Sequence, residues 1–225
     1  MPSDDRHHGT ISPMAATDSP EIEARAADRV VVFSDAVVAI AITLLALDLP
    51  IPGLNAKASN GDVLHFLGKH WNAYFAFFIS FVVISGAWGS HRAIFRYVNR
   101  INDKVIGTNM IWLLMVVLTP FAARTLAASG GFAIRFTIYA LVQVIASVCL
   151  LRMSNELAQG HLLRDDAPES ARHPDNLARY ATIVAFLISI PVAFVTPWAY
   201  AIWAAGPAVA LRIMRNRNRL LHIGR

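Results

Sequence analysis

The chain has 225 residues, 56% of them hydrophobic and only 16% charged. A soluble domain carries about 25% charge, so the composition points to a multi-spanning membrane protein. The formal net charge of +5 does not indicate nucleic acid, because the basic residues lie mostly between apolar runs, as orientation signals do.

Residues 1–28 are polar, contain Pro13 and Pro20, and lack the apolar core of a signal peptide. They read as a disordered cytoplasmic tail. A membrane domain over 29–215 and a basic tail over 216–225 follow. A bilayer core of about 30 Å needs about 20 helical residues. Six apolar runs meet that length approximately, at 30–50, 72–93, 104–124, 132–152, 179–196 and 198–214.

The first run, from Val30, places Ser34 and Asp35 inside a membrane-length helix. A carboxylate there costs roughly 2.5–3.5 kcal/mol on insertion scales, so such a residue normally faces protein or water and has a role. At 100° per residue, Ile40, Leu44 and Leu47 fall within about 60° of one another, with Thr43 at the edge of that face. The spacing suits stacked apolar rings along a path, and it suits ordinary bundle packing equally. Asp35 points about 140° away from Ile40. Its expected role is internal: pairing with Arg or His and accepting hydrogen bonds to hold this end of the helix against its neighbours. Thr43 is expected either to bond back to the carbonyl of the preceding turn or to form a polar layer beside the apolar rings.

The second run ends in Trp88, His91, Arg92 and Phe95, and the third opens with Asn102, Asp103 and Asn109. These residues lie at the depth of Asp35, so a shared polar cluster is expected, although His91 taken alone also fits an interfacial histidine. Thr119-Pro120 in the third run reads as a kink, the hydroxyl compensating for the backbone bond that proline removes. The lone Cys149 in the fourth run excludes an internal disulfide, and no metal-ligand spacing is present. Gly160–Asn176, with Pro168 and Pro174 and mixed charges, reads as a soluble loop with a short amphipathic stretch. Pro197-Trp198 marks a hairpin between the last two runs.

With the tail assigned to the cytoplasm, 16 of the 20 Lys and Arg residues fall inside, leaving Lys57, Lys69, Arg124 and Arg135 outside. That bias supports six spans and two cytoplasmic termini. The basic stretch from Arg212 to Arg225 reads as a lipid-facing patch rather than a nucleic-acid site.

The segment from Arg29 through Phe33-Ser34-Asp35 to Ala39-Ile40, continued by Ala41-Ile42-Thr43-Leu44-Leu45, resembles the signature of the transmembrane protein 175 family of potassium channels. Trp88-x-x-His91-x-x-x-Phe95 and Leu118-Thr119-Pro120-Phe121 are similar to that family's second and third spans. Ala36 departs from the glycine often found after the aspartate. The resemblance implies an all-α membrane protein with six transmembrane helices per protomer, and a homotetramer around a central pore lined by helix 1. It implies an apolar constriction at Ile40, Leu44 and Leu47 with a polar layer at Thr43. It also implies an inter-helix network of Arg29, Ser34 and Asp35 with His91, which Asn109 is placed to join. No cofactor is expected beyond the permeant potassium ion, and the expected partners are further copies of the chain and membrane lipid. The expected location is a bacterial inner membrane.

No Thr-Val-Gly-Tyr-Gly-like loop supplies carbonyl ligands, so selectivity is expected to come from partial dehydration at a narrow apolar ring. The alternative reading is a proton-coupled secondary transporter with Asp35 and His91 as a relay. It is disfavoured by the lack of an inverted repeat or Gly-interrupted half-helices. No His-Glu-x-x-His or Gly-x-Ser-x-Gly motif suggests an enzyme.

Overall fold

The computed structural model describes residues 20–53 and 59–203. The helices run in the order α1 (Pro20–Leu47), α2 (Asn60–Lys69), α3 (Trp71–Phe95), α4 (Asp103–Ala127), α5 (Phe132–Gln159), α6 (Glu169–Arg172) and α7 (Leu177–Ala193), before a 3-10 turn at Pro197–Ala199. Among the described residues, five stretches are long and apolar enough to cross a membrane: Arg25–Leu47 in α1, all of α3, α4 and α5, and Glu169–Ala193 across α6 and α7. Among the described residues, β structure is limited to one isolated antiparallel bridge, Val98 to Leu163.

Helix α4 is the centre of the bundle. Half of its membrane-length window is buried, against 22% for α1 and 17% for α3. It packs on α1, α3 and α5, and α5 in turn carries α7. Its buried residues include Val105, Trp112, Leu113, Val116 and Ala122. The uncovered faces of the outer helices carry large apolar side chains, among them Phe78, Leu114 and Val184, as a hydrocarbon surrounding allows.

Local chemistry sets the ends of α4. Asn102 caps its start by accepting from Val105 N at 2.9 Å. At its far end the Arg135 guanidinium donates to Leu126 O at 2.7 Å and Gly130 O at 2.8 Å, and also to Ala128 O. These carbonyls have no intrahelical partner. Gly130, with φ of +100°, turns the chain into α5, a conformation that a Cβ would strain. Pro120 sits inside α4 without ending it. Thr119 Oγ1 donates to Met115 O at 2.8 Å and accepts from Gln143 Nε2 of α5 at 3.3 Å.

Several expected boundaries move. Helix α1 starts at Pro20, so residues 20–28 are helical rather than part of a disordered tail. Proline suits a first helical turn, and Ala24, Ala26 and Ala27 favour the helix that follows. Residues 1–19 lie outside the described residues. A separate helix, α2, precedes the second span. Its Ser59 accepts from Asp62 N at 3.2 Å while Asp62 accepts from Ser59 N at 2.8 Å. The fourth span, α5, extends to Gln159, and the fifth span ends at Ala193. The expected loop at 160–176 contains the one-turn α6, held by Arg172 donating to Ala167 O at 3.1 Å and Asp165 O at 2.6 Å.

At the expected hairpin, Thr196 caps the 3-10 turn by accepting from Trp198 N at 3.2 Å. Trp203 just beyond it is buried, stacking on Phe136 at 4.4 Å and donating to Ser189 Oγ at 2.8 Å. Most of the expected sixth span, 198–214, and the basic tail, 216–225, lie outside the described residues.

Candidate functional site

Helix α1 divides into two faces. Ala27, Ser34, Val38, Ala41 and Leu45 are buried against the bundle, lying roughly 100–160° round from Ile40 on an ideal helix. The opposite face is largely uncovered by the described residues. Ile40 is 58% exposed, Leu44 44% and Leu47 79%, and Thr43 is exposed between them. All four candidate path-lining residues therefore share the uncovered face. Thr43 Oγ1 donates to Ile40 O at 2.8 Å, the local back-bond expected of a threonine in an apolar helix. That bond uses the hydroxyl proton and leaves the oxygen as an acceptor.

Behind this face lies a polar cluster formed by α1, α3 and α4. Asn109 of α4 donates through Nδ2 to Ser34 Oγ at 3.0 Å, and its Oδ1 is 2.9 Å from His91 Nε2 of α3. Ser34 Oγ donates to Val30 O at 2.7 Å. Ser34, His91 and Asn109 are each 0% exposed. The His91 ring lies between Trp112, 4.4 Å away and nearly parallel, and Phe95 at 4.5 Å. Polar groups sealed from water in this way require partners. Here Asn109 supplies a partner to Ser34 and to His91 Nε2, while His91 Nδ1 is buried without one, so displacing α4 would strand both neighbours.

Asp35 is expected to pair with Arg or His and to accept hydrogen bonds; its Oδ1 accepts from the indole Nε1 of Trp88, one of the residues expected at its depth, at 2.7 Å. The Arg92 guanidinium stacks on the Trp88 ring at 4.9 Å, so the nearby cation reaches the ring rather than the carboxylate. Arg29 is also outside the cluster. It is exposed and makes no hydrogen bond or ion pair to Ser34, Asp35, His91 or Asn109. A start at Pro20 makes Arg29 an interior position of α1, and its side chain projects from the solvent-facing side.

Trp112, which stacks on His91 while its Nε1 stays unpartnered, and Gln143, which donates to Thr119, were not singled out from the sequence. A glutamine inside the fourth apolar run was the available signal for Gln143. Trp112 carried none, because a tryptophan in a spanning helix fits any buried position. At the opposite end of α1, Asp48 follows Leu47 and pairs with Arg124 of α4 at 3.3 Å. Among the described residues, no group of three or more His, Cys, Asp or Glu comes together to hold a metal.

Comparison with known proteins gives a consistent set of similarities. A sequence model of the family described as endosomal/lysosomal potassium channel TMEM175 matches residues 29–120, from α1 to Pro120 of α4. A potassium channel of Streptomyces collinus is 35% identical over 147 residues, which is 62% of this chain and 70% of that protein. The endosomal/lysosomal proton channel TMEM175 of Gallus gallus is 34% identical over 100 residues, 42% of this chain and 20% of that protein. Among solved structures, a lysosomal potassium-selective channel TMEM175 homolog from Chamaesiphon minutus has the same fold. Its TM-score is 0.67 at 22% identity, over 86% of this chain and 99% of that one.

Proposed function

Because the chain belongs to the TMEM175 family of cation channels, we propose that it is a potassium-preferring channel whose path is lined by α1 from each of four protomers. The reading rests on one observation above others. A membrane-length helix buries one face and its polar anchors against its own bundle, yet leaves Ile40, Thr43, Leu44 and Leu47 uncovered. A single helix face cannot enclose a path, whereas copies related by a closed symmetry axis can. Each protomer would carry six spans, the sixth being 198–214. Both termini would lie on the cytoplasmic side of an inner membrane, where Lys and Arg concentrate.

In this arrangement Ile40, Leu44 and Leu47 form successive apolar collars about 10 Å deep along the axis. An ion passing them sheds part of its water, which costs less for potassium than for the more tightly hydrated sodium, and such collars also close by dewetting. Thr43 offers the path an oxygen whose proton is already committed to Ile40 O. That favours cations over anions. Discrimination of this kind, without a cage of carbonyl ligands, is moderate.

The carrier alternative, with Asp35 and His91 passing a proton, gains no support from the geometry. Asp35 is bonded to an indole N–H and His91 to an amide, and neither bridging group relays protons readily.

Reconstitution into liposomes with a potassium gradient tests the reading. Flux is expected to be higher for potassium than for sodium and absent for a bulky impermeant cation. Ile40→Asn is expected to raise flux and weaken discrimination. Flux that saturates at low cation concentration and requires a proton gradient would replace the channel with a carrier. An unchanged potassium-to-sodium ratio in Ile40→Asn would remove Ile40 from the filter.

A further inference from the structure

Away from α1, two cavities that share Arg179 in their walls are lined by residues of α3, α5 and α7. One, about 380 Å³, runs from mid-membrane toward the basic side; its walls include Val83, Ala87, Ala146, Leu150 and Phe186. The other, about 330 Å³, continues beyond the ends of the same helices and is lined by polar groups including Arg96, Ser154, Ser170 and Asp175. Arg179 lines both, and so stands where hydrocarbon wall gives way to polar wall.

The Arg179 guanidinium is fixed by two neutral acceptors, Ser154 Oγ at 3.2 Å and Asn176 Oδ1 at 2.5 Å. Its Nε is buried without a hydrogen-bond partner. Across the polar cavity Arg96 extends from the end of α3. Asp175 at the rim is engaged locally, accepting from Leu177 N at 3.1 Å. The groove thus has a largely apolar floor, into which Ser90, Gln143 and Ser147 also project, and at its mouth a cation fixed by neutral acceptors, with Arg96 lining the same polar cavity. Basic pockets between spanning helices on the cytoplasmic side are sites where anionic lipid headgroups bind. A guanidinium favours phosphate oxygens through its planar donors.

We propose that this groove holds an anionic phospholipid, with an acyl chain along the α3–α5–α7 floor and its phosphate between Arg179 and Arg96. The proposal is independent of ion conduction, since it requires only that the chain spans a membrane.

The test uses the full chain in mixed micelles with phosphatidylglycerol or phosphatidylcholine, and counts retained lipid per protomer by native mass spectrometry. About one phosphatidylglycerol per protomer is expected to survive conditions that strip phosphatidylcholine. Arg179 also braces the α5–α7 contact, so the decisive variants lie elsewhere. Arg96→Gln removes an exposed cation. Gly86→Leu adds bulk where a Cβ meets nothing within 4 Å, filling the floor. Loss of a charge-assisted bond is expected to lower phosphatidylglycerol retention about tenfold in Arg96→Gln, and Gly86→Leu is expected to lower retention of the lipid by a similar factor. Equal retention of the two lipids would overturn the proposal. So would retention unchanged in both variants, the outcome expected if chain beyond Trp203 or a neighbouring protomer fills the groove. Because no ion flux is read, neither result bears on the channel reading.

Discussion

Asn109 uses both ends of its amide, donating to Ser34 of α1 and meeting His91 of α3 through its oxygen. One side chain of α4 thereby fixes the depth of two neighbouring helices. Asn109→Leu leaves the buried His91 Nε2 without a partner, as Nδ1 already is, and about 1–3 kcal/mol of stability is expected to go with it. The measurement is thermal unfolding of detergent-solubilised protein, where a melting point unchanged from wild type would refute the estimate. Asp35 makes a sharper comparison. Asp35→Asn keeps an oxygen for the Trp88 indole and is expected to unfold close to wild type, whereas Asp35→Leu leaves that N–H unpaired and is expected to melt lower. At this scale the sequence was readable where a polar residue interrupts an apolar run, as at Ser34, Asp35, His91 and Asn109. It was not readable in the choice of partner. Asp35 could reach Trp88 or a cation according to side-chain directions that spacing leaves open, whereas helical phase, which sets Arg29 about 20° from Ile40 and about 140° from Ser34, was a signal against Arg29.

Helix α1 depends on the small residue Ala41, 1% exposed, to lie close on the bundle. Ala41→Leu forces extra volume into that contact and is expected to cost about 1–3 kcal/mol. Ile40→Leu, one residue away on the uncovered face, is expected to change unfolding by less than about 0.5 kcal/mol. Equal effects would mean that the two faces are not distinct. Helix α2 has no buried residue and relies on its capping box. The backbone N–H and hydroxyl of Ser59 hold the Asp62 carboxyl below its ordinary value of 3.8. A lowered native value stabilises the folded form above 3.8 and loses that contribution as pH falls through the lower native value. Hydrogen exchange at the start of α2 is therefore expected to quicken in strong acid before the spans open, and uniform protection down to that pH would contradict it. Ser59-x-x-Asp62 was legible as a cap in principle, yet hydropathy alone passes over a ten-residue polar helix such as Asn60–Lys69. The five long helices were legible because hydrocarbon-length apolar runs leave the backbone few alternatives. Their ends shifted where weakly polar residues such as those at 153–159 continue a helix past the apolar core.

At the scale of the assembled molecule, the protomer is a scaffold of α3, α4, α5 and α7 that presents α1 outward. If four copies meet along that face, Leu47 residues of neighbouring protomers approach one another. A Leu47→Cys chain in a Cys149→Ala background is expected to form disulfide-linked dimers with mild oxidant, and Val184→Cys on the uncovered side of α7 is expected to stay monomeric on denaturing gels. Cross-linking at Val184 and none at Leu47 would place the contact elsewhere. The Thr43 hydroxyl, bonded only to its own helix, has a wider consequence. Since no neighbouring element leans on that side chain, descendants of this sequence can sample serine, valine or asparagine there at little structural risk. If Thr43 lines the path as proposed, ion preference can then drift between lineages while the architecture behind it stays the same.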